Sequence, residues 1–385
     1  AGGFKIGTGD FPTGTANVAL GNTALDSLDG SSPGGNNVAV GHNALTANTT
    51  ASNNVAVGSG ALATSTTATD NVAVGFQALT ANSSGADNVA VGDEAGHDIS
   101  TGSRNTILGS KAGDAATTTD DTTLVGYGAG GGAIMTGHDN VAVGANALAA
   151  ATSGASNVVI GKDAGLAIST GSNNVAVGHE ALKTEDGNGH NVAIGNEALK
   201  VQNAGADAKN VAIGYQAGLS VTTGTGNTYI GAEVGDANTD GVANVAIGGD
   251  GTYAALGADT RGKHTTAIGF GALTAQNFTS STASNNTAVG YFAGGVMTTG
   301  TANTFIGSLA GDDAVDSVNC VAVGAGALSA DAADGNTAVG AGAASGATGT
   351  NNTAIGKDAG YGLTDRGNNT FLGVDSGFFI FFFFF

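Results

Sequence analysis

Along nearly the whole chain one apolar triplet recurs: Val or Thr, then Ala, then Val, Ile or Leu, preceded by Asn and closed by Gly. Runs of Thr, Ser, Asn, Asp and Gly separate the triplets. The pentapeptide N-V-A-V-G and its variants occur 21 times, from Asn17–Gly21 to Asn369–Gly373, most often 17 residues apart. A unit this short has room for two or three brief strands and their turns, and it cannot bury its own apolar side chains, so neighbouring copies must cover one another. Helical repeats of thirty or more residues do not fit. The β-branched triplet between turn-forming residues reads as strand plus turn. The expected fold is all-β, a parallel β-solenoid continuous over residues 17–377 after an entry segment at 1–16. At about 4.8 Å per rung it would make a rod on the order of 100 Å long.

The columns of the repeat carry distinct messages. The first is Asn in 18 of 21 copies, with Thr122, Thr265 and Cys320 as exceptions. Stacked amides at Asn37, Asn54, Asn71, Asn88, Asn105, Asn140, Asn157, Asn174 and Asn191 should form a ladder, bonding from rung to rung and satisfying turn backbone, and Asn also tolerates the left-handed conformation. The third position is Ala in 15 copies and larger at Ile107, Leu124, Val159, Tyr229, Phe305 and Phe371. Four residues after the motif glycine the chain has Leu in nine copies and Gly in ten. Every large third residue is matched by Gly there: Gly113, Gly130, Gly165, Gly235, Gly311 and Gly377. Conserved volume across a pair is what two side chains filling one space require. Two strands of a rung should therefore face each other. Tyr229, Phe305 and Phe371 also follow rungs that already pair Ala with Gly, so a ring needs clearance in two rungs.

The second and fourth positions are apolar as well, Val or Thr and then an aliphatic, and they point away from the third. The strand thus reads as buried on both faces. A single roll encloses only one, which leaves a stripe larger than monomers usually expose. Either another chain covers it, in a trimer or bundle, or a wider monomeric solenoid holds a second core.

Composition narrows the classes. Gly numbers 68 but Pro only 2, without a G-X-Y period, and 41% of residues are hydrophobic, which argues against collagen and disorder and for a regular core. A net charge of -20 disfavours nucleic acid and anionic membrane surfaces. One cysteine, Cys320, allows no intrachain disulfide framework. No signal peptide opens the chain and its first residue is Ala1, as in a processed product or part of something longer. The longest apolar run, Phe378–Phe385, is too short for a membrane span, which needs roughly 20 residues as a helix. That Phe-rich tail is anomalous, either a joint between solenoid ends or not genuine sequence.

The motifs N-V-A-V-G and N-T-A-V-G, followed by A-L or A-G, resemble the head repeats of YadA-like trimeric autotransporter adhesins, and similar repeats occur in phage tail fibres. The resemblance covers nearly all of residues 17–377. It implies a left-handed parallel β-roll, three chains side by side, and surface attachment or host recognition at a cell surface or virion. The period here is longer than in the adhesin heads, and neither a coiled-coil stalk, a membrane-anchor barrel nor a tail-fibre chaperone domain is visible.

No catalytic constellation emerges. His42, His97, His138, His179, His190 and His264 lie on separate rungs without ligand spacing. The glycines of 128–132 precede no helix and no G-K-S/T. Asp120 with Asp121, Asp236 with Asp240, and Asp312 with Asp313 sit in Gly-containing turns where calcium could bind, but the G-G-x-G-x-D nonapeptide is absent. No cofactor is expected beyond that weak calcium lead. A binding site is best sought where the repeat is irregular, at 249–263, with Asp250, Tyr253, Asp259 and Arg261, although a tolerated surface bulge explains the segment as well. Two readings follow: a non-enzymatic extracellular adhesin or receptor-binding fibre, whose partner is a surface glycan or protein, or a self-assembling filament of end-to-end solenoids. The chain enters on Ala1–Phe4 and leaves on apolar residues without a polar cap, which keeps the second open.

Overall fold

A computed structural model of the chain describes residues 16–28 and 34–377. Residues 1–15 of the entry segment and the tail Phe378–Phe385 lie outside the described residues. The chain comprises two compact units, Ala1–His190 and Asn191–Phe385. Each is a parallel β-solenoid, and no helix occurs among the described residues. The first unit has ten strands, from Val18–Leu20 to Val175–Val177, and the second has eleven in its main sheet, from Val192–Ile194 to Thr370–Leu372. Equivalent triplet positions pair in register, Val38 with Val55, Ala39 with Ala56 and Val40 with Val57.

The closing glycine ends each strand. At Gly109 φ is +136°, a conformation that side-chain-bearing residues rarely adopt, and a Cβ there would lie 2.6 Å from the carbonyl oxygen of Gly126. Turns stack glycine on glycine, leaving no room for any other residue. Beyond it the chain does not form the facing strand expected from the size pairing. The opposite wall is built of turns, because residues two and four places after the glycine are left-handed, for example Asn43 at φ 59° and Leu45 at φ 51°. Alternating left-handed residues cannot propagate a pleat. Backbone bonds still join successive turns there, Leu62 N–H to Ala78 O at 3.0 Å and Thr64 N–H to Thr80 O at 3.2 Å. A left-handed Leu costs about 1–2 kcal/mol, and burying its side chain returns about 1.5–3 kcal/mol. Leu is thus sustained at this place only by the core it fills.

The core lies between strand and turn wall. The third position of the repeat, the middle residue of the apolar triplet, is buried in every described turn except the last, where Phe371 is half-buried. The flanking positions are half-buried or exposed, as in the pattern of Val55–Val57. One face of the sheet is therefore enclosed and the other is open. The sheet is not buried on both faces within the chain, and no second core takes the Val/Thr and Val/Ile stripe, because each turn closes around the third-position side alone.

Left-handed backbone also falls on different residues from those expected. The motif Asn does not adopt it; the residue before does, as at Asn36, Asn53, Asp70, Asp87 and Arg104. The motif Asn immediately precedes the strand, where its amide links its own turn to the next.

The longer turns are absorbed locally. Strands Thr228–Ala232 and Val245–Asp250 run past their glycines, with a register shift between Ile230 and Ala232 that pairs Ala232 with Asp250. A small parallel pair, Gly262–Lys263 with Thr282–Ala283, braces the extra residues. Insertion is accommodated beyond the closing glycine, while the apolar triplets keep their register, Tyr229 with Ala246 and Ala246 with Ala267.

Candidate functional site

The Asn column is internal scaffolding. Its members from Asn37 to Asn352 are buried, Asn17 and Asn369 at the ends are half-buried, and the side chains link one turn to the next. Asn54 Oδ1 accepts the Asn71 N–H at 2.9 Å, Asn71 Oδ1 accepts the Asn88 N–H at 3.0 Å, and Asn88 Oδ1 accepts the Asn105 N–H at 3.0 Å. The amide nitrogens donate onward to turn carbonyls, Asn37 to Ala51 at 2.9 Å and Asn105 to Thr119 at 2.8 Å. Asn140, Asn157 and Asn174 continue the pattern, and Asn191 accepts from Asn210 N–H at 3.1 Å. Burial with satisfied donors and acceptors leaves this column no capacity for a ligand. Cys320 replaces one member. Its thiol is buried, pushed up by desolvation, and approaches Ala333 O at 3.5 Å.

The ring positions meet the glycines paired with them. A Cβ at Gly235 would stand 2.6 Å from Tyr229 Cδ1, and one at Gly311 2.7 Å from Phe305 Cδ1. Phe371 occupies the space over Gly377 in the same way. The preceding turns are cleared too: Gly218 faces Tyr229 Cδ2 at 3.0 Å, Gly294 faces Phe305 Cδ2 at 2.9 Å, and Gly360 faces Phe371 Cδ2 at 3.2 Å, each measured from an ideal Cβ. These residues are core, with no solvent access for Tyr229 or Phe305.

The four residues singled out at 249–263 do not form one group. Asp259 is wholly buried, where Oδ1 accepts from Gly262 N–H at 3.0 Å and Phe278 N–H at 3.1 Å, and Oδ2 from Gln276 Nε2 at 2.8 Å. It is a polar core corner in the column of Asn48, Asn82 and Asn238, hidden from sequence reading by the four extra residues of its turn. Arg261 pairs outward with Asp240, Nη2 to Oδ2 at 2.6 Å, and holds that carboxyl below its usual range. Asp250 is exposed and anchors the turn, accepting the N–H groups of Thr252 at 3.0 Å and Tyr253 at 3.2 Å.

Tyr253 instead joins three rings that sequence reading left aside. Its ring centre lies 5.6 Å from Phe270 and 5.0 Å from Phe292, and Phe270 stacks on Tyr291 at 5.8 Å with 9° between planes. Phe292 meets Tyr291 edge-on at 4.8 Å and Phe270 at 5.7 Å. A signal existed, because Phe270 and Tyr291 each follow a motif glycine in consecutive copies. Next to Tyr253, a shallow concavity of about 280 Å³ is lined by Asp236, Gly251, Thr252, Ala254, Gly257, Ala258 and Thr274.

Acidic turns elsewhere have partners of their own. Asp121 forms a two-pronged pair with Arg104, at 2.6 and 2.8 Å, which lowers its pKa, and Asp120 Oδ1 accepts the Ser103 N–H at 2.6 Å. Asp163, His179 and Glu180 bring one ligand atom each within 4.8 Å of the others. Both carboxylates are already opposed by ammonium groups, Lys162 at 3.6 Å from Asp163 and Lys183 at 2.5 Å from Glu180. Of the carboxylate pairs considered for calcium, none belongs to such a group among the described residues.

Burial raises the pKa of Asp114, Asp236 and Asp312, which sit five residues after a motif glycine. A carboxyl whose folded pKa is raised binds its proton more tightly when folded, so its contribution to stability falls as pH rises from the unfolded value through the folded one. Asp236→Asn is expected to melt higher than the wild type at pH 7, with the gap closing below about pH 4, where both are uncharged. Thermal melts across that range check it; a constant gap would assign the effect to something other than the charge.

No helix among the described residues is long and apolar enough to cross a membrane. Neither the family models nor the curated proteins contain a match to the chain.

Proposed function

We propose that the chain is a segment of an extracellular fibre, an adhesin or receptor-binding fibre at a cell surface or virion, with a non-catalytic role and copies associated side by side. One observation carries this reading: the open sheet face. It presents Val or Thr and then Val, Ile or Leu from every turn, and Val91, Leu108, Val158 and Ile160 in the first unit and Ile194, Ile306, Val339 and Ile355 in the second are exposed. A stripe of this kind exceeds what a lone soluble chain usually presents, and a second copy offers the same regular spacing in complement. The resemblance to YadA-like head repeats and tail-fibre repeats supports the same reading.

Sedimentation equilibrium of the purified chain is expected to give a discrete oligomer of a few copies. Val91→Lys combined with Ile160→Lys is expected to return it to a folded monomer, since both side chains are exposed and lie on that face. A wild-type monomer at tens of micromolar would sink the side-by-side fibre. Open-ended filaments would replace it with the second reading, solenoids stacked end to end, which the repeating backbone ladder of the turns favours.

A further inference from the structure

We propose that Tyr253, Phe270 and Tyr291, supported by Phe292, form a carbohydrate-binding platform for a neutral pyranoside on the second unit. Four contacting rings over consecutive turns form the only group of touching aromatic side chains among the described residues, in a chain that is 5% aromatic. Tyr253 is 44% exposed and Tyr291 54%. Beneath them Phe292 is seated firmly: an ideal Cβ at Gly271 or Gly295 would come within 2.9 Å of its ring. The platform is therefore held in place before any ligand arrives, which lowers the cost of binding.

The geometry selects the chemistry. Ring centres 4.8–5.8 Å apart leave no gap between rings, which excludes an aromatic cage around a quaternary ammonium group. A ligand can only lie against the outer side of the cluster. Aromatic faces are electron-rich and attract the weakly positive C–H groups that one face of a pyranose presents. Hydroxyls on the sugar rim then need acceptors and donors beside the rings. Thr252, the chain neighbour of Tyr253, offers a hydroxyl, and with Thr274 and Asp236 it lines a concavity of about 280 Å³ whose walls include none of the four rings. Charge excludes acidic sugars and phosphates: Asp250 is exposed beside Tyr253, and the Glu233 carboxylate approaches Gly251, 3.1 Å from an ideal Cβ there. A protein partner needs roughly 800 Å² a side with a dry centre, whereas here the Thr252 hydroxyl is one residue and the Asp250 carboxylate three residues from the exposed Tyr253 ring.

This inference rests on the fibre reading for its biological role, but the two fail separately, because sugar binding is measured on the chain whatever its oligomeric state. Saturation-transfer NMR with methyl β-D-glucopyranoside, methyl β-D-galactopyranoside and N-acetylglucosamine is the test, with tetramethylammonium alongside. At least one sugar is expected to receive saturation on the C–H protons of one ring face. Tyr253→Ala/Tyr291→Ala should reduce that transfer at least fivefold. Should the double variant lose its circular dichroism spectrum, Tyr291→Ala alone decides, since its ring is the more exposed. No transfer to any of the three sugars, transfer unchanged in the folded variant, or transfer to tetramethylammonium alone would each overturn the proposal.

Discussion

Replacing Gly235 by Leu is expected to destabilise the second unit by on the order of 3 kcal/mol or more, and adding Tyr229→Ala is expected to restore most of the loss. The reason is one shared volume. An ideal Cβ at Gly235 stands 2.6 Å from both Cδ1 and Cε1 of Tyr229 and 2.9 Å from Cζ, so a leucine has nowhere to go. Tyr229→Ala alone empties a fully buried site and should cost about 3–5 kcal/mol. Together the two changes recreate the Ala and Leu content of ordinary turns such as Ala193 with Leu199, both wholly buried. Recovery stays partial, because Gly218 was cleared for the same ring and leaves a void. Urea unfolding of the two single variants and the double gives the coupling directly. Additive losses would show that the ring and the glycine do not share a space.

The second large effect concerns the backbone itself. Gly109→Ala is expected to cost about 3 kcal/mol or more, because both sources of strain act at once. Its φ of +136° lies where an L-residue is strained, and the new Cβ would meet Gly126 O at 2.6 Å and Gly126 C at 2.7 Å. Neither obstacle is a side chain that can swing aside. Gly326→Ala is the matched control: φ is +61° and an added Cβ meets nothing within 4 Å. It should cost only the left-handed penalty of about 1–2 kcal/mol. Equal losses at the two sites would remove the stacking of glycine on glycine as the reason for the column.

The fibre reading and the sugar platform draw on different parts of the molecule. The open sheet face is a property of the turns of each unit, so it can serve association within either one. The aromatic group arises only where turns lengthen, between Val245 and Phe292. A repeat that builds a scaffold and an irregularity that carries a site is how function is usually added to solenoids.

Much of this was legible in the chain itself. Periodicity fixed the class of fold, because a 17-residue unit cannot bury itself and must stack. The alternation of large residues with glycine identified residues that share a space, since volume is conserved locally in a packed core. Neither could reveal what backbone shape filled the far wall. Leu62 and Gly96 look like strand or turn equally well until their φ values of 50° and 61° place them in a turn wall. Asp259 read as surface because it lies in an insertion, yet the register of its turn carries it into the buried corner beside Gln276. Tyr253, Phe270 and Tyr291 are 17 and 21 residues apart, and only stacking brings their rings together. Sequence alone determined the repeat and its volume rule, which depend on neighbours one unit away. Tertiary structure decided which face stayed open and where the rings met, because both depend on how each turn closes and how an insertion is absorbed.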